Sequence, residues 1–215
     1  MAEARVFFQS GEIELEGQIC NSADKAAVVV THPHPLYGGD MHNNVVDSIL
    51  QAYRREGYST LRFNFRGVGQ SGGRYGDGIG ERQDVAAAIN YLHNLGKSPL
   101  DLVGYSFGAW VNALALKDLN SVGRMIMVSP PVNLMDFSFL EYTDKIKLTV
   151  AGSEDDIAPP EMIKKMISRW NPEAELRIIR EADHFYWGKT DELEKTIQSF
   201  LQSVFQLPNP VLGNE

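Results

Sequence analysis

Apolar residues recur along this chain with two distinct periods. From Arg5 to Ser10 and from Glu12 to Ile19 they alternate with polar residues, the pattern of an exposed antiparallel hairpin. From Ala26 to Thr31 the alternation gives way to an unbroken, valine-rich run, which suits a strand buried on both faces. Thr60 to Phe65, Leu100 to Val103, Arg124 to Val128 and Lys147 to Ala151 are similar short runs, and a last strand is expected near Glu175 to Ile179. Between them the period lengthens to that of a helix. Asn43 to Glu56 places Val46, Ile49, Leu50 and Tyr53 on one face, and Glu81 to Leu95 does the same with Val85, Ala88, Ile89 and Leu92. Further helices are predicted at Phe107 to Leu119, Pro160 to Trp170 and Thr190 to Phe205, with Pro160 suited to a first helical position.

Strand and helix alternating from Ala26 onward predict an α/β fold with right-handed crossovers. The sheet should be doubly wound and mostly parallel, of about eight strands, with an antiparallel N-terminal strand. With no repeat and no Pro- or Gly-rich linker, residues 1–206 are expected to form one domain. Residues 207–215, with Pro208 and Pro210, are expected to be a frayed tail. In such sheets ligands bind outside the carboxyl ends of the strands. Chemistry-bearing residues should therefore stand just after strands.

Three do. Gly104-Tyr105-Ser106-Phe107-Gly108 follows one strand and opens a helix. A serine on so sharp a turn needs small neighbours, and the turn aims the Phe107 amide at an oxygen that gains charge during acyl transfer. A serine hydroxyl needs a base, and the base needs an orienting group. The strand Lys147 to Ala151 leads into Glu154, Asp155 and Asp156, of which Asp155 is the preferred acid and Asp156 the fallback. His184 follows the last strand. The order serine, acid, histidine, each after a separate strand, is the one expected of this architecture.

Composition narrows the classes. The chain has 215 residues, is 43% hydrophobic and 22% charged, and carries a formal net charge of −8. That charge repels a phosphate backbone, so nucleic acid is not an expected partner. No apolar run approaches the roughly 20 residues that cross a bilayer. The opening residues lack a positive-then-apolar signal segment, and the single cysteine, Cys20, cannot form an internal disulfide. A cytoplasmic location is expected, while the oligomeric state stays open. A rival assignment would make His32, His34 and His42, with Asp40, the ligands of a metallohydrolase. Against it, the donors come from one segment stiffened by Pro33 and Pro35. A second rival keeps the fold as a non-catalytic interaction module; here no member of the serine–acid–histidine set is missing.

These stretches, with Thr31-His32-Pro33-His34-Pro35-Leu36-Tyr37-Gly38-Gly39 and Phe63-Asn64-Phe65-Arg66-Gly67-Val68-Gly69-Gln70-Ser71, resemble the α/β-hydrolase superfamily over nearly the whole chain. The likeness is to compact lidless members of the dienelactone-hydrolase-like or CocE/NonD type. It implies a serine hydrolase that cleaves a carboxylic ester or thioester through an acyl-enzyme on Ser106, with no cofactor or metal. An acyltransferase or a peptidase would use the same three residues. True dienelactone hydrolases carry a cysteine nucleophile, whereas the turn here carries Ser106. The resemblance also implies a second oxyanion amide after the strand Ala26 to Thr31, on His34, with Leu36 as the alternative. Pro33 and Pro35 have no amide hydrogen. Asn64 stands where many relatives carry Asp, and Arg66 is expected to pair locally. Larger relatives insert a lid where only Ser129 to Ile146 is available. Within it, Leu134 to Leu140 would either line an acyl pocket or pack on the core.

Overall fold

The β-branched run builds the middle of the sheet. In the structure, a computed structural model that describes residues 2–205, it forms strand β3 (Ala27–Thr31), buried along its whole length. The strands before it are β1 (Ala4–Ser10) and β2 (Ile13–Cys20); those after it are β4 (Ser59–Phe63), β5 (Leu100–Tyr105), β6 (Val122–Val128), β7 (Ile146–Gly152) and β8 (Glu175–Ile179). Together they make one eight-stranded sheet in the order β1-β2-β4-β3-β5-β6-β7-β8. Strands β3 to β8 run parallel, and β1 and β2 are antiparallel to their neighbours. The expected N-terminal hairpin is present, but only β1 is an edge. Strand β2 lies inside the sheet against β4 and buries Leu15, Ile19 and Cys20.

Helices α1 (Asn44–Arg55) and α5 (Thr190–Phe205) cover one face of the sheet. Helices α2 (Ile79–Asn94), α3 (Phe107–Ala115) and α4 (Pro160–Trp170) cover the other. The helical spacing in α1 is what buries Val46, Ile49, Leu50 and Tyr53 together. Each large aliphatic side chain so buried contributes about 2 kcal/mol of transfer free energy. Asn43 caps α1 by accepting the Val45 amide, and Pro160 occupies the first turn of α4. At the amino ends of the strands, Arg124 and the Tyr53 hydroxyl donate to the buried carboxylate of Asp101. Burial pushes that carboxyl above its usual range against the pull of Arg124.

The departures from expectation have local causes. Strand β5 runs on to Tyr105, which carries the chain straight to Ser106. Helix α3 tightens into a 3₁₀ turn at Leu116–Asp118. Strand β4 ends at Phe63, and Asn64 beyond it still donates its amide to the Glu16 carbonyl while its side chain bonds the Met41 amide and the Glu16 carboxylate. Arg66 does not pair locally: its partner is Asp84, eighteen positions on in α2, a carboxylate that also accepts from Ser10. The segment from Leu134 to Leu140 divides between the two expectations. Phe137 and Leu140 pack into the core beside Trp170, whereas Leu134 projects into solvent. Residues 207–215 lie outside the described residues.

Candidate active site

Ser106 is the junction residue between β5 and α3, and its backbone shows the tightness of the turn. With φ +53° and ψ −119° it occupies a region that L side chains rarely adopt. The two flanking glycines make that turn sterically possible. A Cβ on Gly104 would stand 2.5 Å from the Ala109 amide nitrogen, and one on Gly108 would stand 2.7 Å from the His32 carbonyl. The second contact also presses the loop after β3 against the first turn of α3. The Phe107 amide is the first of its helix and has no carbonyl within the helix to bond.

The acid and the histidine reach Ser106 on two further loops. Gly152 ends β7 so close to the Ala182 carbonyl that any side chain there would collide with it, and Glu154 donates its amide to the same carbonyl. The loop then winds round the Asp155 carboxylate, whose Oδ1 accepts the amides of Ile157 at 3.0 Å and Ala158 at 2.7 Å. Glu154 and Asp156 point into solvent. His184 Nδ1 lies 2.9 Å from both oxygens of Asp155, and Nε2 lies 2.9 Å from Ser106 Oγ. A carboxylate only accepts, so the imidazole proton sits on Nδ1 and Nε2 is left to accept the Ser106 hydroxyl. Burial would raise the Asp155 pKa; the His184 hydrogen bond and charge, the Ala158 amide and the Ser129 hydroxyl outweigh it and hold the carboxyl below its usual range.

Three residues outside the serine–acid–histidine set hold this arrangement. The Tyr105 hydroxyl donates to the His184 carbonyl at 2.8 Å, tying the serine turn to the histidine loop. Ser129, just after β6, lies 2.8 Å from the buried Tyr186 hydroxyl, and its own hydroxyl helps hold the Asp155 carboxyl down. Tyr105 is the one with a sequence signal: a buried tyrosine inside the serine pentapeptide needs a partner for its hydroxyl.

His34 and Leu36 meet differently than two rival donors would. The Leu36 amide donates to His34 Nδ1 and so is already engaged, while the His34 amide has no protein acceptor among the described residues. The His34 ring packs 4.7 Å from that of Phe107. His32 is fully buried; Nδ1 bonds the Pro33 carbonyl at 2.7 Å and Nε2 accepts the Phe65 amide at 3.0 Å. Both nitrogens are committed, which removes His32 from the metal-ligand set. Among the described residues no three His, Cys, Asp or Glu groups are placed to hold a metal ion.

Burial lowers the His32 pKa to about 4 from an ordinary 6.5. Between those values the unfolded chain takes up a proton that the folded protein does not. Stability is therefore expected to fall as pH drops from 6.5 towards 4, with His32 accounting for about 2–3 kcal/mol at the acid end. Urea unfolding of wild type and His32→Gln at pH 7 and 4.5 checks this. The variant, which keeps an acceptor for Phe65, should lose that part of the pH dependence; an unchanged slope would remove His32 as its source.

Comparison with known proteins agrees with this architecture. A model of the alpha/beta hydrolase family matches residues 28–186. The uncharacterized protein RP471 of Rickettsia prowazekii is 33% identical over 212 residues, covering 93% of this chain and 89% of that protein. An alpha-beta serine hydrolase homologue from Coxiella burnetii superposes with a TM-score of 0.87 at 33% identity, covering 94% of this chain and 98% of the other. The protein XC6422 from Xanthomonas campestris, a serine hydrolase without a lid, superposes with a TM-score of 0.85 at 28% identity, over 96% of each chain. The chain belongs to the alpha/beta hydrolase family, as one of its compact, lidless enzymes.

Proposed function

We propose that the protein is a serine hydrolase that cleaves a carboxylic ester or thioester through an acyl-enzyme on Ser106, with His184 as general base and acid and Asp155 as its orienting carboxylate. One observation carries the proposal: His184 Nε2 and Ser106 Oγ are 2.9 Å apart while Nδ1 is held by Asp155. In this mechanism Nε2 takes the hydroxyl proton as Oγ attacks the carbonyl carbon. The carbonyl electron pair moves onto oxygen, where the amides of Phe107 and His34 receive it. Collapse expels the alcohol or thiol, which takes the proton from Nε2. Water then repeats the sequence and frees the acid and Ser106. The steps use groups of this chain alone. Exposed Leu36, Tyr37, Phe185 and Trp187 stand on the loops that carry His34 and His184, and they offer apolar contact to the two halves of a small ester. The cytoplasm is the proposed setting, in keeping with a single cysteine that is buried and unpaired.

A fluorophosphonate probe tests the proposal. Fluoride is expelled as Ser106 Oγ bonds phosphorus, so intact-mass measurement should show one adduct on wild type and none on Ser106→Ala. Wild type that stays unlabelled and inactive on p-nitrophenyl esters of every acyl length would overturn it. Product analysis with competing alcohols separates hydrolysis from acyl transfer.

A further inference from the structure

The two amides assigned to the oxyanion come from different loops, which the β3–β5 pairing and the close seat of Gly108 against His32 bring together. Side-chain rings pack between them. His34 and Phe107, whose backbones would supply the amides, pack their own rings with centroids 4.7 Å apart at 48°. A third ring, Tyr75 from the loop between β4 and α2, closes the cluster at 5.3 Å from His34 and 5.9 Å from Phe107. Its hydroxyl lies 3.3 Å from His34 Nε2.

The hydrogen bonds along this cluster have one consistent direction. His34 Nδ1 accepts the Leu36 amide at 3.2 Å, so in the neutral ring the proton resides on Nε2. Nε2 then donates to the Tyr75 oxygen, 3.3 Å away, and Tyr75 keeps its own proton. Burial first, and the charges of Asp77 and Glu81 next, push the Tyr75 pKa up to about 12, so that proton stays in place. His34 is also fixed from behind. With Pro35 next in the chain it is held extended, at φ −59° and ψ 121°. Pro33, before it, has its own φ locked by its ring.

We infer that Tyr75 is a positioning residue for the oxyanion-binding amides: its ring and hydroxyl hold His34 against Phe107 and so set where the His34 amide points. The inference rests on the hydrolase proposal above. Among the described residues Tyr75 makes its hydrogen bond and ring contacts to His34 and Phe107 and not to Ser106 or His184, and it acts through the amide that would bind the developing charge. Its loss should therefore weaken binding of the transition state more than binding of the ester.

The test compares wild type with Tyr75→Phe and Tyr75→Ala on p-nitrophenyl acetate, together with the affinity for a boronic acid that forms a tetrahedral adduct on Ser106. Tyr75→Phe keeps the ring and should lower kcat about 5-fold; Tyr75→Ala loses both contacts and should lower it about 50-fold, short of the 10²–10³ expected for deleting a donor outright. KM should stay within about 2-fold and boronate affinity should fall in step with kcat. Circular dichroism should show both variants folded, and if Tyr75→Ala fails to fold, Tyr75→Phe carries the test alone. An active wild type whose Tyr75 variants keep kcat, or change KM alone, overturns the inference by itself. A wild type without hydrolysis or labelling overturns the underlying proposal and this inference with it.

Discussion

Ser106→Gly is expected to abolish ester hydrolysis, with kcat falling on the order of 10⁵-fold or more, and to make the protein more stable. The two effects share an origin. The backbone at Ser106 sits at φ +53°, where a side chain costs about 1–3 kcal/mol. Glycine adopts such angles freely but loses about 0.5–1 kcal/mol more chain entropy on folding. The balance favours the variant by about 1 kcal/mol, or about 2–4 °C in a domain of this size. Ser106→Ala is the control, because it removes the hydroxyl and keeps the strain: it should be equally inactive with its melting temperature nearly unchanged. Scanning calorimetry and p-nitrophenyl acetate hydrolysis on the same samples decide the matter. If Ser106→Gly retained a tenth of wild-type turnover, another nucleophile would be at work.

How much of this was legible in the sequence depends on the range of each interaction. The strands and helices are local patterns, and a buried valine run or a stripe at period 3.6 dictates its element with little help from the rest of the chain. The serine turn is equally local, since Gly104 and Gly108 are demanded by the backbone they touch. Arg66–Asp84, Asn64–Glu16 and Tyr75–His34 are not of this kind. Each joins residues from different elements, and nothing in the spacing of one partner specifies the other. The proposed oxyanion donors fall between. Proline chemistry removes residues 33 and 35 as candidates, but the proposal of His34 over Leu36 rests on the Leu36 amide being bonded to the His34 imidazole, a contact that only packing decides.

The acid was ambiguous for a related reason, and it yields the second large expected effect. Three acids in a row carry no periodic signal, because a loop has no fixed face. What distinguishes Asp155 is that the chain after it curls back, so that two amides, Ile157 and Ala158, donate to its Oδ1. That detail sets the result of Asp155→Asn. The amide oxygen of the variant must stay with those two donors, which leaves the NH₂ group where Oδ2 was, 2.9 Å from His184 Nδ1. An NH₂ donates where the carboxylate accepted. Oδ1, also 2.9 Å from Nδ1, is already accepting two amides, so the NH₂ favours the tautomer with the proton on Nε2, which cannot accept the Ser106 hydroxyl proton. With its geometry intact and its tautomer wrong, the variant is expected to lose kcat on the order of 10⁴-fold. Asp156→Asn, which changes an exposed side chain, should leave kcat within about 2-fold. Steady-state kinetics on the two variants, with an NMR assignment of the His184 tautomer in Asp155→Asn, tests the chain of steps. Equal losses in the two variants, or a proton still on Nδ1 in an inactive Asp155→Asn, would show that Asp155 does not act by orienting the imidazole.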